Sequence, residues 1–250
     1  QQGKNVAVKG DLGQSAAGKT DKNGELTVPE VEQTERHGVY IVGYTDGTFG
    51  PSRSMTRSEA AAIFARLLAE KNGDSISTAA NTKFADIPAH AWYSGYVKYL
   101  SNNGITYGKS KTVFAPNDAI TRAEFTTMAV RFFDVYGDGD AEIMEQFSGF
   151  NDVSSGYWAA EYIKYAALHG WINGYGDGSF HADREINRAE VVTIVNRLLG
   201  READEDYIAD NLRKLNTFPD VSRKHWAYYA VMEAANAHTA VLGENESWSK

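Results

Sequence analysis

No cysteine occurs among the 250 residues. Disulfide frameworks and thiolate zinc sites are therefore excluded. No apolar run approaches the roughly 20 residues that a membrane-spanning helix needs, which argues against membrane insertion. Positive charge is in deficit: 25 Lys and Arg stand against 33 Asp and Glu, a net charge of −8. A general nucleic-acid binder needs a basic surface and is disfavoured, although a local cationic pocket remains open. The six histidines, at 37, 90, 169, 181, 225 and 238, are scattered without metal-ligand spacing. No signal peptide is visible at Gln1, so the chain reads as a mature form or an excised fragment.

What is present is a repeat. The apolar fraction of 42% and the 14 Tyr and 5 Trp are enough for a sizeable core. One half-motif reads Phe84-Ala85-Asp86-Ile87 before Trp92, Phe150-Asn151-Asp152-Val153 before Trp158, and Phe218-Pro219-Asp220-Val221 before Trp226. Phe and Trp are eight residues apart each time. Apolar residues three and four apart follow (Val97 and Leu100, Ile163 and Ala166, Tyr229 and Met232), which predicts a helix with one buried face. Each Trp opens this stripe and is expected in the core, as is Trp171.

The second half is a turn and a helix. Tyr44-Thr45-Asp46-Gly47-Thr48-Phe49 precedes Thr56-Arg57-Ser58-Glu59, and Tyr175-Gly176-Asp177-Gly178-Ser179-Phe180 precedes Asn187-Arg188-Ala189-Glu190. The middle copy keeps Phe114 and Thr121-Arg122-Ala123-Glu124 but carries Lys109-Ser110-Lys111 in place of the Asp-Gly turn. Gly in such a turn supplies a positive φ without steric cost. Thr56, Thr121 and Asn187 are expected N-caps, and the Glu three residues on completes a capping box.

There are three of each half, but the chain opens on a turn–helix half and closes on a Phe–Asp–Trp half. The simplest closure pairs the last half with the first, giving a ring with pseudo-threefold symmetry and no uncapped repeat face. This closure expects Trp226 near the Arg57 helix. The resulting units are 39–83 (completed by 217–240), 84–149 and 150–216, with 217–250 the closing half and C-terminal tail. Residues 1–38 read as a polar tail or the end of a preceding domain. Within the linkers, 141–147 and 204–215 have helical character.

These residues resemble the S-layer homology family of bacterial surface proteins. The resemblance rests on Gly43-Tyr44-Thr45-Asp46-Gly47-Thr48-Phe49, Thr121-Arg122-Ala123-Glu124 and Gly174-Tyr175-Gly176-Asp177-Gly178-Ser179-Phe180, and covers roughly 39–238. It implies a mainly α fold: a three-pronged spindle of three repeats around a central helical bundle, with short extended turns. It also implies an exported protein held non-covalently on the wall of a Gram-positive-type bacterium. Grooves between prongs would bind a secondary cell-wall polysaccharide, commonly one with pyruvylated N-acetylmannosamine. Ser154 and Ser222 match the family's Ser after Phe-x-Asp-Val, whereas Pro88 holds that place in the first copy.

The residues make chemical sense of an acidic sugar. Arg57, Arg122 and Arg188 lie just inside helix N-termini, where a carboxylate is favoured by the dipole and by bidentate pairing. Tyr44, Tyr107 and Tyr175 offer stacking faces, and Gly47 and Gly178 let a ligand approach the backbone. Asp86, Asp152 and Asp220, with Ser154 and Ser222, can bond hydroxyls or an amide. Each has a plainer role too: surface ion pairing for the Arg, helix capping for the Asp and the box Glu. Asp134, Asp138, Asp140 and Glu145 partly match an EF-hand loop, but Tyr136 sits where an oxygen ligand belongs and a solvated acidic turn is the simpler reading. Neither a cofactor nor catalysis is expected, because no carboxylate pair breaks the threefold pattern. The alternatives are a self-assembly module that meets a neighbouring surface-layer protein, and an accessory region of a wall-polysaccharide hydrolase.

Overall fold

The computed structural model describes residues 6–9, 15–20, 26–27, 33–137, 147–242 and 246–249. Seven α-helices lie among them: α1 (Arg57–Asn72), α2 (Ser94–Asn102), α3 (Arg122–Tyr136), α4 (Ala160–Leu168), α5 (Arg188–Leu199), α6 (Glu205–Asn211) and α7 (Tyr228–Ala235). The chain is thus mainly helical, as expected. Two small antiparallel sheets accompany the helices. Strands β1 (Val6–Lys9), β2 (Ser15–Thr20) and β3 (Leu26–Thr27) form one, and β4 (Gln33–His37), β5 (His238–Leu242) and β6 (Ser247–Ser249) the other. Residues 1–38 therefore contain strands, and β4 joins the closing segment with His37 opposite His238. Of the two linker segments expected to be helical, 204–215 holds α6 and a 3-10 turn at Leu212–Lys214, whereas 141–146 lies outside the described residues. No described helix is long and apolar enough to cross a membrane.

The three capping boxes form as the sequence dictates. Thr56, Thr121 and Asn187 each accept from the N–H of the Glu three residues on, and that Glu accepts from the cap's own N–H. Each cap contributes about 1 kcal/mol. Gly73 and Gly200 end α1 and α5 in the left-handed conformation, at φ 68° and 65°. Helix α3 packs on both α1 and α5, and Phe64 of α1 meets Phe125 and Phe132 of α3 at 5.3 and 4.9 Å between rings. Four alanines of α1 (Ala60, Ala61, Ala62, Ala65) are buried with Ile63, Phe64, Leu67 and Leu68, so this helix is wrapped on nearly every side.

A closed cycle of backbone bonds joins the three copies. Met55 N–H donates to the Ile186 carbonyl (2.9 Å), Ile186 to Ile120 (3.0 Å), and Ile120 back to Met55 (2.9 Å). All three side chains are fully buried. The next N–H groups also cross between copies. Arg57 and Ser58 donate to Asp118 and Pro116, Arg122 and Ala123 to Arg184 and Ala182, and Arg188 and Ala189 to Arg53 and Pro51. Together with the caps, these bonds engage the first three N–H groups of each core helix. The expected use of these termini to bind an anion is therefore corrected: their donors already hold the ring together.

The Phe–Asp–Trp halves bridge successive copies. The Asp86 carboxylate accepts from the N–H groups of Phe114 and Ala115, Asp152 from Phe180 and His181, and Asp220 from Phe49 and Gly50, at 2.6–3.2 Å. Burial raises the Asp86 and Asp152 pKa values, but the paired backbone donors outweigh it and hold both below the usual carboxylate range. The clasped position is left-handed in every copy, at φ 68° for Gly50, 59° for Ala115 and 55° for His181. Two non-glycine residues there carry a steric cost that the Asp clasp offsets. Asp220 ties the closing half to the opening turn, and Phe218 lies 5.3 Å from Phe49 between rings. The helix that follows packs elsewhere: α7 lies on α5, as α2 lies on α1 and α4 on α3. Trp226 accordingly sits beside α5 residues and not, as the simple closure required, beside the Arg57 helix.

Candidate functional site

Three equivalent grooves run between the copies. The first is lined by Tyr44, Glu59, Arg66, Trp92 and Arg188. The second is lined by Tyr107, Glu124, Arg131, Trp158 and Arg57. The third is lined by Tyr175, Glu190, Arg197, Trp226 and Arg122. Their volumes are about 200, 90 and 210 Å³. On each core helix the groove face is a stripe at i, i+3, i+4 and i+7: Glu59, Ala62, Ile63 and Arg66 on α1, for example. Nine residues separate the first Arg of each helix from the outer one (57 and 66, 122 and 131, 188 and 197). At 3.6 residues per turn, that spacing puts the two on opposite faces, so each helix serves two grooves.

The expected arginines are buried cross-links. Arg57, Arg122 and Arg188 are 4–5% exposed. Their Nε atoms donate to the carbonyls of Phe114, Phe180 and Phe49 at 2.7–2.8 Å. Their charge meets the capping Glu of the next copy: Glu124 at 3.1 Å, Glu190 at 3.3 Å and Glu59 at 3.8 Å. Arg122 and Arg188 also donate through NH2 to the Asn173 and Val42 carbonyls. Burial lowers the pKa of both. A guanidinium has five N–H donors, so these contacts do not exhaust it.

Two of the three expected tyrosines hold equivalent positions. The Tyr44 N–H donates to Thr48 and that of Tyr175 to Ser179, but the matching bond in the middle copy runs from Lys109 to Val113. Lys109 therefore takes the tyrosine's place, and Tyr107 lies two residues earlier, where the other copies have Val42 and Asn173. Tyr107 is more than half exposed and meets Arg131, 4.8 Å from guanidinium carbon to ring centre. Arg188 lies 4.6 Å from the Tyr44 ring centre and 4.7 Å from that of Phe49. Arg122 is placed the same way, 5.1 Å from Tyr175 and 4.5 Å from Phe180. Gly47 and Gly178 both turn at φ 81°, and Asp46 and Asp177 accept from Thr48 and Ser179 to stiffen those turns.

Other residues fall outside the grooves. Asp86, Asp152 and Asp220 are clasps, and Ser154 and Ser222 are exposed on the loops before α4 and α7. Asp134 is exposed at the end of α3, while Asp138, Asp140 and Glu145 lie outside the described residues.

The tryptophans require a correction. Trp92, Trp158 and Trp226 are 53%, 57% and 64% exposed and stand in the grooves. Each lies two residues before its helix begins, so it escapes the helix's buried stripe, which Val97 and Leu100, Ile163 and Ala166, and Val231 and Ala234 fill instead. Trp171 is buried as expected, at 4% exposure. Sequence reasoning also passed over Arg66, Arg131 and Arg197, whose constant nine-residue offset was the signal for them.

Charge in the grooves opposes that of the chain. In the first, Arg188, Arg66 and Arg53 (4.0 Å over Tyr44) face Glu59, a surplus of two positive charges. In the third, Arg122, Arg197 and Arg184 (paired with Glu190 and the Tyr175 hydroxyl) face Glu190, again a surplus of two. In the second, Arg57 and Arg131 face Glu124, a surplus of one, and the Lys109–Asp118 ion pair on the adjoining turn adds no net charge.

Comparison with known proteins agrees with this threefold construction. The S-layer homology domain model matches residues 27–61, 83–126 and 149–192. Cell surface glycoprotein 1 of Acetivibrio thermocellus is 34% identical over 218 residues, which cover 84% of this chain and 9% of that protein. The cellulosome-anchoring protein of the same organism is 31% identical over 234 residues, or 92% of this chain and 49% of that protein. The surface-layer 125 kDa protein of Lysinibacillus sphaericus is 32% identical over 163 residues, 64% of this chain and 13% of that protein. The chain thus spans about half the length of the anchoring protein and less than a tenth of the glycoprotein. With three matched repeats, the chain belongs to the S-layer homology domain family.

Proposed function

We propose that the chain holds its protein to a bacterial wall by binding an acidic secondary cell-wall polysaccharide, one carrying pyruvylated N-acetylmannosamine, in the three grooves. The observation that carries this reading is the local surplus of positive charge beside an exposed tryptophan, repeated three times in a chain of net charge −8. The recurrence of an exposed tryptophan at the same place in all three grooves, each beside an arginine, supports ligand contact there. A pyruvate ketal offers one carboxylate for the outer arginine and the remaining donors of the buried one. The sugar ring lies on the Trp face. Glu59, Glu124 and Glu190 keep their structural task at the caps. In this reading the units 39–83 and 217–240 form one repeat, tied by Asp220, and the three repeats make a three-pronged spindle. Separate grooves on one polymer raise avidity without strong single sites. The module is non-catalytic.

The test is polymer binding by the Trp92→Ala, Trp158→Ala, Trp226→Ala triple variant and by the Arg66→Ala, Arg131→Ala, Arg197→Ala triple variant. These residues lie at the surface or at its edge, so the fold survives. Both variants lose most of their retention on purified wall polysaccharide. Unchanged retention in both would turn attention to a self-assembly surface that meets a neighbouring surface-layer protein.

A further inference from the structure

Away from the grooves, four titratable side chains from four segments converge at the β4–β5 junction. They are His37 at the end of β4, Glu233 in α7, His238 at the start of β5, and Glu246 just before β6. The histidines, scattered as they look in sequence, are 201 residues apart and meet at 3.2 Å, His37 Nδ1 to His238 Nε2. His37 Nδ1 lies 3.2 Å from Glu233 Oε1 and 3.2 Å from Glu246 Oε1. His238 Nε2 lies 3.3 Å from Glu233 Oε2 and 3.3 Å from Glu246 Oε1. A tetrahedral cation with bonds of about 2.0–2.1 Å sets its ligand atoms about 3.3–3.4 Å apart. Taking Glu233 Oε1 as its ligand atom, four edges of the cluster thus already have about the length of a tetrahedral cage, and one ligand atom from each residue lies within 4.8 Å of the others.

The surroundings orient each group as a ligand. His238 Nδ1 lies 3.0 Å from the Asn236 carbonyl, which places its proton there and aims the Nε2 lone pair inward. Trp248 stacks on the same ring, at 3.8 Å and 14°. The outer nitrogen of His37 faces the Glu35 carboxylate at 3.9 Å. Glu246 Oε2 accepts from the Glu202 N–H at 2.9 Å, which leaves Oε1 for the centre. Glu233 is the independent sign of a ligand. Its side chain is wholly buried, and its oxygens face only the two histidines of the cluster, with no other hydrogen-bond donor in reach. A buried carboxylate left in that state is costly and is paired or metal-bound in stable proteins.

We infer that His37, Glu233, His238 and Glu246 form a structural site for one zinc-class divalent cation, which clips the strand preceding the first repeat to the closing half-repeat. Two neutral imidazoles and two carboxylates balance a dication, so binding leaves the buried cluster uncharged overall and releases any protons the imidazoles held. Two nitrogen donors favour zinc or a neighbouring first-row ion over calcium or magnesium, which take oxygen ligands. Among the described residues the site has no counterpart in the other copies. It acts on ring closure and not on the grooves, so its failure and that of polysaccharide binding are separable.

The full chain, stripped with chelator and dialysed, is titrated with Zn²⁺ by calorimetry and with Co²⁺ by visible spectroscopy. The expected result is one equivalent bound, an intense tetrahedral cobalt spectrum and a thermal midpoint that rises with Zn²⁺ concentration. Glu246→Gln, at the partly exposed edge, folds and binds at least tenfold more weakly, and His37→Ala with His238→Ala abolishes the cobalt spectrum. Polymer retention is unaffected by cation or chelator. No stoichiometric binding by the wild-type chain overturns the proposal, as does a weak octahedral cobalt spectrum or binding that survives the double histidine change.

Discussion

The first and third grooves and the second are built on one plan but differ at two paired positions. In the outer two, a turn tyrosine faces an arginine: Tyr44 with Arg53 and Tyr175 with Arg184. In the middle copy the same places hold Lys109 and Asp118, joined by an ion pair at 3.0 Å. The exchange preserves a cross-turn contact, but it moves the cation onto the turn and adds an acid. The groove loses one positive charge, and the tyrosine face over the buried arginine is gone. Tyr107 partly refills the space from two residues upstream, which agrees with the smaller volume. The frame tolerates this because it depends on the capping boxes, the Asp clasps and the Met55–Ile186–Ile120 cycle, all of which the middle copy retains. What holds the ring and what lines the grooves are separable on one repeat.

Removing the buried arginines probes that separation with the largest effect. Arg188→Ala and Arg122→Ala each take away a charged bond to a buried carbonyl and are expected to cost about 2–3 kcal/mol of stability. Arg57→Ala costs less, since Arg57 lacks the tyrosine face above it; denaturant unfolding of the three variants ranks them. Next in size is the exposed platform. Trp226→Ala weakens polymer binding by about 1–2 kcal/mol, as loss of a contact residue does. It changes stability by no more than about 0.5 kcal/mol. Trp158→Ala has the smaller binding effect of the two, because its groove is the less cationic, and equal effects would erase the comparison.

A direct conversion is subtler. Lys109→Tyr with Asp118→Arg gives the second groove the outer pattern and tightens polymer binding by about 1 kcal/mol, in line with a gained cation–π contact and charge. Smallest is the acid response of the clasps. Because the folded pKa values of Asp86 and Asp152 lie below the ordinary one, their stabilisation is complete above about pH 4 and is lost as pH falls through the folded values. Asp152→Asn flattens that acid limb in a pH series of melting temperatures.

The sequence made the frame legible where the physics is local. Thr56 and Glu59 lie three residues apart, and a capping box needs nothing further. The Asp clasps were less legible, because Asp86 bonds to Phe114 across 28 residues and Asp220 to Phe49 across 171. No local rule connects such pairs. The tryptophans misled for a different reason: a large apolar residue next to a helical stripe reads as core, yet a place two residues before the helix frees it from the helix's facing. Tyr107 was matched by residue type and not by register, which counting back from Phe114 puts at Lys109. The four residues of the proposed cation site come from both ends of the chain, and spacing cannot bring them together.

The measurement that tests the central claim most directly is retention of the full chain on purified wall polysaccharide before and after chemical removal of its pyruvate. The account predicts strong retention on the native polymer and a loss of at least tenfold once the carboxylates are gone, with the remainder removed by salt. Equal binding to both polymers would contradict the assignment of the cationic grooves to an acidic sugar.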